Sequence, residues 1–317
     1  MLTHEEMIGL QAEKHDLINT TEFRSIEEYV LHLIHTAAYA QAARLVENYR
    51  VLDLGCNTGY GTDLLFRSTK KVVGVDVSGK AIESAKKQYG YLGIEFQKID
   101  GKTLPFDDEV FDVVVCFQVI EHIVNYRTFI DEIKRIMTSE GVILLTTPNA
   151  LLRLYPGMKP WNMFHVREFN HKGLKSLLDT FFKNVSIFGL YANEPLYSIE
   201  ANRVARAREE VRAKINIKNA RPRFPILSYA KKMFPQNIIS MSKRIREYFK
   251  QKAKVKFSEP MNEHGVDDFF YQRNNLESAL DLLAVCSDGD KVFENIKCQI
   301  GKRCRPGHEK KVAGLPC

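Results

Sequence analysis

Two kinds of segment are missing from this sequence. No run approaches the ~18 apolar residues that a transmembrane helix needs, and the N-terminal stretch is mixed and charged, without the apolar core of a signal peptide. Cysteine is scattered and forms no CxxC pair, so we expect no cysteine-based zinc site. The cysteines are Cys56, Cys116, Cys286, Cys298, Cys304 and Cys317. We therefore expect a cytoplasmic protein whose cysteines are reduced thiols.

Charge is distributed unevenly along the chain. The 317 residues carry a net charge of +7, yet residues 203–256 alone contain 17 Lys and Arg against 3 Asp and Glu, so the remainder is acidic. Four interpretations fit this basic segment: a solvated face, a surface for an anionic membrane, a contact with a nucleic-acid backbone, or a site for a phosphorylated or uronic-acid-containing substrate. Prolines interrupt the segment and no RNA-binding module is recognisable, so nucleic acid is the least favoured partner.

Short β-branched runs alternate with helical segments in the first two thirds of the chain. These runs are apolar on both faces, as expected for strands buried in a parallel sheet. They cover residues 50–56, 71–77, 93–100, 111–117, 141–147 and 184–191, and a seventh run follows at 279–286. The pattern predicts an α/β fold: a doubly wound, Rossmann-like, mostly parallel seven-stranded sheet with helices on both faces and a basic helical insertion before the last strand. Ligands of such sheets bind at the carboxyl ends of the strands.

Helical patterns surround these strands. Residues 25–46 form a long amphipathic pattern, which either packs on the sheet or lays His35 or Tyr39 over a ligand. Another helical pattern starts at Tyr126 and stops at Gly141. The expected division is an N-terminal helical cap (1–48), a cofactor-binding core (49–191), a basic helical insertion or lid (192–266), the last strand region (267–290) and a tail without usable periodicity (291–317).

The stretch VLDLGCNTGYGTD, residues 51–63, contains the most specific signal in the chain. A strand-like run contains Asp53, and Gly55, Gly59 and Gly61 precede a helical segment. Glycines at such a turn allow positive φ and a close approach of a ligand to the backbone. The G-x-x-x-G-x-G spacing differs from the G-x-G-x-x-G of dinucleotide folds, and a P-loop would need a Lys that does not follow here.

Acidic residues end the next two strand-like runs. Asp76 comes about 20 residues after the glycine loop, where a carboxylate can accept hydrogen bonds from ribose hydroxyls. Asp100 ends the third run and is followed by Gly101, so this carboxylate is placed to accept from an adenine amino group. Together with the glycine loop, the acids predict a pocket for a nucleoside without phosphates, and their charge suits a cationic cofactor.

Residues 50–149 resemble class I S-adenosylmethionine (SAM)-dependent methyltransferases, in particular the branch of ubiquinone-biosynthesis-type O-methyltransferases with a methyltransferase type 11 domain. The resemblance is carried by VLDLGCNTGYGT, VVGVDVS, IDGKTLPFDDEVFDVVVCFQVIEHI and GVILLTTPN. It implies SAM as the cofactor, with the glycine loop at its methionine and ribose parts and Asp76 on the ribose hydroxyls. The cofactor-binding residues it implies are Asp53, Gly55, Cys56, Gly59, Gly61, Asp76, Val77, Asp100, Gly101, Phe117 and Gln118.

The stretch CFQVIEHI, residues 116–123, places Glu121 and His122 just past the fourth strand-like run. Methyl transfer needs a general base only when the acceptor atom carries a proton, and His titrates near neutrality. In one hypothesis His122 takes that proton. In a second, Glu121 braces the local backbone and His122 packs under a lid.

A metal site is the third hypothesis for the same pair. Small-RNA 2′-O-methyltransferases carry E-V-I-E-H at this place together with later histidines as metal ligands, and the present sequence resembles that pattern. Here a neutral amide, Gln118, replaces the first carboxylate, which weakens the site. The later candidate is His165, with His171 second, and the stretch around His165 also resembles the acceptor lid of small-molecule and glycan methyltransferases.

The sequence therefore predicts an O-methyltransferase acting on a small-molecule, glycan or lipid-linked acceptor by direct displacement at the SAM methyl group. We assign Glu121, His122 and His165 as catalytic residues and assign no metal ligand. Two alternatives stay open: a metal-assisted RNA 2′-O-methyltransferase, and a SAM-binding protein that performs no catalysis.

Overall fold

A computed structural model describes residues 23–220 and 264–300, with only the backbone described for 215–220. The first five strands run parallel to one another, and most of their residues are buried. They are β1 (Arg50–Leu54), β2 (Lys71–Asp76), β3 (Glu95–Lys98), β4 (Phe111–Phe117) and β5 (Met137–Pro148). Their order in the sheet is β3-β2-β1-β4-β5, so the chain reverses its winding direction between β1 and β4. Such a reversal opens a crevice at the carboxyl ends of the two strands.

Three later strands complete the sheet: β6 (Asn184–Ala192), β7 (Phe269–Gln272) and β8 (Asp281–Ser287). β8 inserts between β5 and β6 and is antiparallel to both. The predicted doubly wound, mostly parallel sheet is confirmed, including its completion by a late strand. The predicted strand count was seven, whereas the sheet has eight strands within residues 23–220 and 264–300, because the four-residue β7 pairs with β6 at the edge. A run this short has too few residues to show an alternating pattern.

Helices cover both faces of the sheet. The helices are α1 (Ile26–Leu45), α2 (Tyr60–Phe66), α3 (Gly79–Tyr89), α4 (Tyr126–Ile136), α5 (Ala150–Arg153), α6 (His171–Leu178), α7 (Leu196–Ala220) and α8 (Lys291–Gln299). One hydrophobic cluster contains Leu65 of α2 and Phe293 of α8, together with residues of α1 and α3. The cluster on the other face contains Ile133 of α4 and Leu174 of α6.

One helical prediction needs correction. α4 ends at Ile136 rather than at Gly141, because Met137 already pairs with Phe111 and starts β5. The described part of the predicted helical insertion is the helix α7. The remainder of the basic segment, from residue 221, lies outside the described residues.

The C-terminal region also contains regular structure. α8 lies where the sequence showed no usable periodicity, and it buries Phe293 and Ile296. Within residues 23–220 and 264–300, none of the helices is both long and apolar enough to cross a membrane.

Candidate active site

A cavity of about 550 Å³ lies at the carboxyl ends of β1, β2 and β4. Residues of α1, α7 and β8 also line it. Ten of the residues predicted from sequence are part of its wall: Gly55, Cys56, Asp76, Val77, Gly101, Phe117, Gln118, Glu121, His122 and His165. Four predicted residues are not in the wall: Asp53, Gly59, Gly61 and Asp100.

The glycine loop after β1 is held against β2 by its backbone. The N–H groups of Gly55 and Cys56 both donate to the Val75 carbonyl, at 2.8 and 3.0 Å. Gly55 has φ +89°, and a Cβ there would lie 2.5 Å from Cγ2 of Val119. The loop therefore needs glycine at this position for two independent reasons, backbone conformation and space.

Asp53 supports the loop from behind. Its carboxylate is fully buried and accepts hydrogen bonds from Tyr39 Oη at 3.0 Å and Thr62 Oγ1 at 2.6 Å. Burial raises the pKa of Asp53 to about 7. The side chain ties α1 and α2 to β1 and does not line the cavity, so it supports the glycine loop from behind.

Gly59 and Gly61 likewise serve packing rather than ligand access. Gly59 has φ +84°, and a Cβ at this residue would lie 2.8 Å from the Phe96 ring. A Cβ at Gly61 would lie 2.2 Å from the Tyr39 ring, which crosses directly over α2. These two glycines let α2 approach β3 and α1 closely.

The two strand-end acids differ in what they face. Asp76 lines the cavity, and its two oxygens accept from Ser78 N at 2.8 Å and Asn57 N at 3.0 Å. Asp100 is exposed and turns onto its own loop, where Oδ1 accepts from the N–H groups of Lys102 at 2.7 Å and Thr103 at 2.9 Å. The Thr103 N–H is the largest cause that holds the pKa of Asp100 below its usual range. Asp100 itself does not line the cavity, while Gly101 beside it does.

Gln118 links the end of β4 to the last strand in the chain order. It has φ +57°, and Nε2 donates to Asp281 Oδ2 at 2.8 Å and Thr146 Oγ1 at 3.2 Å. Phe117 before it is buried, with its ring centroid 4.9 Å from that of Tyr39. The amide that replaces a carboxylate at position 118 thus has a carboxylate partner of its own, Asp281.

Glu121 is a fully buried acid in the cavity wall. Thr147 Oγ1 donates to Oε2 at 3.1 Å, whereas Oε1 has no hydrogen-bond partner within the described part of the chain. Burial raises the pKa of Glu121 to about 8. Its carbonyl accepts from Val166 N at 2.8 Å, which fastens the segment after β5 over the end of β4.

The two histidines converge on this carboxylate. His122 Nδ1 is 3.0 Å from the Phe164 carbonyl, which can only accept, so the proton of the neutral ring lies on Nδ1 and Nε2 is the basic nitrogen. His165 Nδ1 is 2.8 Å from Glu168 Oε1, and the two imidazole centroids are 4.9 Å apart at right angles. Ligand-type atoms of Glu121, His122 and His165 all lie within 4.8 Å of one another. The predicted catalytic residues are therefore brought together.

Glu168 orients His165 and is itself held in place by Arg153. Although burial opposes ionisation, the hydrogen bond from His165 and the charge of Arg153 outweigh it and lower the pKa of Glu168. Arg153 Nε donates to Oε2 at 2.9 Å. His171, the second candidate from sequence, does not line the cavity and lies 3.7 Å from Glu277.

This arrangement can do two kinds of chemistry. A histidine whose Nδ1–H is held by a carboxylate or carbonyl presents Nε2 as a proton acceptor. The same outer contacts are those that orient histidines toward a metal ion, and an unpartnered buried carboxylate oxygen beside two such rings fits a divalent cation.

Sequence reasoning missed several cavity residues, among them Arg153, Trp161, Arg203 and Asp281. The sequence did place Trp161 and Arg153 near the lid stretch, but it gave no sign that they face the site. Asp281 meets Gln118 across 163 positions of chain, and no local pattern reports a contact of that separation.

Comparison with solved structures and with known families shows what this chain resembles. The crystal structure of the [4+2]-cyclase SpnF aligns with 91% of this chain and 98% of its own at a TM-score of 0.51, with 16% identity, a likeness that establishes a shared Rossmann-like architecture. Residues 52–145 match the family described as "Methyltransferase domain". This stretch contains the glycine loop, Asp76 and the Glu–His pair.

Curated relatives are similar to this chain over the same stretch. A protein from Mycobacterium tuberculosis named a probable S-adenosylmethionine-dependent methyltransferase is 34% identical over 169 residues, 53% of this chain and 61% of the relative. The mitochondrial ubiquinone biosynthesis O-methyltransferase of Bos taurus is 27% identical over 37% of this chain and 34% of its own. The part of the chain that carries the glycine loop and the Glu–His pair is therefore similar to SAM-dependent methyltransferases. The chain spans about three fifths of the length of the mycobacterial relative.

Proposed function

We propose that this protein is a SAM-dependent O-methyltransferase. The observation that carries the proposal is one cavity that joins the Gly55 loop and Asp76 with the cluster of Glu121, His122 and His165. When bound, SAM supplies a methyl group on a sulfonium sulfur, an electrophile that needs no further activation. The protein's task is then to position the acceptor, exclude water and receive the acceptor's proton.

The cofactor-binding part of this task falls to the glycine loop and the strand ends. Asp76 lies in the cavity wall, and each carboxylate oxygen can accept more than one hydrogen bond, so this side chain can accept from ribose hydroxyls. The close approach at Gly55 brings its backbone to the cavity wall, and Gly101 offers a wall without a side chain. The Asp76 carboxylate beside the glycine loop favours a nucleoside cofactor without phosphates.

The acceptor's proton is best received by a histidine. His122 presents Nε2 as a base because the Phe164 carbonyl holds the proton on Nδ1, and Glu168 orients His165 in the same way. His122→Ala should lower the rate by about 100-fold or more in a pH-dependent manner, with SAM affinity intact. His171→Ala is the matched control, because this histidine lies outside the cavity wall.

Stopped or quenched methyl-transfer assays at several pH values, with calorimetric SAM titration of each variant, separate the hypotheses for His122. Loss of SAM binding in His122→Ala would favour a structural brace. A rate equal to that of His171→Ala would contradict a role as base.

A second candidate function is a metal-assisted 2′-O-methyltransferase acting on RNA. The observation that favours its metal site is the unpartnered buried Oε1 of Glu121 beside His122 and His165. These three side chains would hold a divalent cation, which would polarise the acceptor hydroxyl. Metal analysis of the purified protein and assays after chelation test the site: no bound ion and unchanged activity would contradict it, and only transfer of label to RNA would support the RNA acceptor.

Transfer of the labelled methyl group also identifies the class of acceptor. Methyl-labelled SAM incubated with fractionated cell extract should label a small-molecule, polysaccharide or lipid pool. The basic segment 203–256 extends this proposal to a lipid-linked acceptor on an anionic surface, and sedimentation with anionic against neutral vesicles at low salt tests that extension. A protein that binds SAM yet labels no pool would be the non-catalytic alternative.

A further inference from the structure

Three charged side chains from separate parts of the chain share the cavity wall. Arg153 is the last residue of α5, Arg203 lies in α7, and Asp281 is the first residue of β8. Asp281 is close enough to both arginines for their charges to interact. The pairing of β5 with β8 sets Asp281 opposite Pro148, which places it directly beside the start of α5.

Each arginine already has its own counter-charge. Arg153 Nε donates to Glu168 Oε2 at 2.9 Å, and the Glu168 side chain is completely buried. Arg203 donates through Nε and Nη2 to the two oxygens of Glu200, both at 2.6 Å. The remaining guanidinium nitrogens have no hydrogen-bond partner within the parts of the chain that the structure describes, so they keep donors for a ligand.

Among the described residues, only one carboxylate oxygen of Asp281 has a hydrogen-bond partner. Oδ2 accepts from Gln118, whereas Oδ1 has no hydrogen bond to any residue in the described ranges. The residue is 9% exposed, and because it lines the cavity that exposure faces the cavity interior. A carboxylate oxygen in this position requires a donor from whatever occupies the cavity.

The hydrogen-bonding groups of the subsite restrict what that donor can be. A fully ionised carboxylate or phosphate has no proton to donate to Asp281, and an ammonium group has no lone pair to accept from a guanidinium group. A hydroxyl group is neutral, donates to a carboxylate and accepts from a guanidinium at the same time.

We propose that Asp281, with Arg153 beside it, binds a hydroxyl group of the acceptor that is not itself methylated. This inference rests on the proposed O-methyltransferase function and names the acceptor as a compound with at least two hydroxyl groups. Gln118 connects the subsite to the end of β4 near the catalytic cluster, so the bound hydroxyl orients its neighbour toward Glu121, His122 and His165. Trp161, stacked with Arg153 at 4.4 Å, provides an apolar face for the acceptor's carbon skeleton.

Asp281→Asn tests the subsite, because an amide keeps the shape and can still accept from Gln118 while losing the charge. Asp131→Asn, on the exposed surface of α4, is the matched control. With methyl-labelled SAM and dilute cell extract as probe, Asp281→Asn should transfer label about 10- to 100-fold more slowly than the control. The deficit should shrink as the extract is concentrated, and the SAM dissociation constant should stay unchanged.

The main labelled product should be a methyl ether that retains at least one underivatised hydroxyl, as determined by mass spectrometry before and after acetylation. A product without such a hydroxyl, or equal rates for Asp281→Asn and Asp131→Asn, would overturn the proposal while leaving the methyltransferase function in place. A rate deficit in Asp281→Asn that concentrated extract does not reduce would also overturn it. Wild-type protein that binds no SAM, or transfers no label to any pool, would contradict the proposed function and this inference together.

Discussion

The buried carboxyl group of Asp53 makes the folding free energy depend on pH. Burial raises its pKa from 3.8 to about 7, despite hydrogen bonds from Tyr39 and Thr62 that favour the ionised form. Because the folded-state pKa is the higher one, the stability contribution is complete below the unfolded value and is lost as the pH rises through about 7. The full loss is about 4 kcal/mol, of which about 2.5 kcal/mol falls between roughly pH 5 and pH 8.

Asp53→Asn removes this ionisation while nearly preserving shape. Urea unfolding of the wild type and the variant across that pH range should show their stability difference moving by about 2.5 kcal/mol in favour of the variant as the pH rises. Asp107→Asn replaces an exposed acid, so its free energy of unfolding should change with pH as that of the wild type does. A wild type-to-variant difference that stays constant from acidic to basic pH would refute the assignment of Asp53 as a buried support of the glycine loop.

Two other substitutions test the placement of the loop and of the ribose contact. Gly61→Ala should lower the free energy of unfolding by about 1–3 kcal/mol, because its Cβ would lie 2.2 Å from the Tyr39 ring, whereas Gly79→Ala meets nothing nearer than 3.7 Å and should unfold like the wild type. Equal thermal melts for the two variants would contradict this packing. Asp76→Asn should weaken SAM binding about 10- to 100-fold through loss of charge-assisted hydrogen bonds, and Asp53→Asn should weaken it far less. Calorimetry that ranks the two acids in the opposite order would return Asp53 to the cofactor site.

The predicted residues that line the cavity are positioned by local sequence. Gly55 and Asp76 follow strands whose β-branched residues are buried on both faces, and the carboxyl ends of such strands meet at one edge of the sheet. The Glu121–His122 pair follows β4 for the same reason. Position along a buried strand is enough to bring these residues to the cavity.

Position along a strand did not predict the direction in which each side chain points. Asp53, Asp76 and Asp100 all lie at or near the carboxyl ends of strands, yet Asp53 turns inward to Tyr39 and Asp100 turns onto its own backbone turn. The contact of Gln118 with Asp281 depends on the antiparallel pairing of β5 with β8, which closes a separation of 163 residues. Hydrophobic periodicity indicates which face of a strand is buried. It does not indicate which distant strand completes the wall of the cavity.

Calorimetric titration of the purified protein with SAM and with S-adenosylhomocysteine tests the central claim most directly. The cavity at the glycine loop and Asp76 predicts saturable binding of one molecule of either compound per chain, with each competing for the other's site. Failure to bind either compound would contradict the cofactor site on which the proposed function depends.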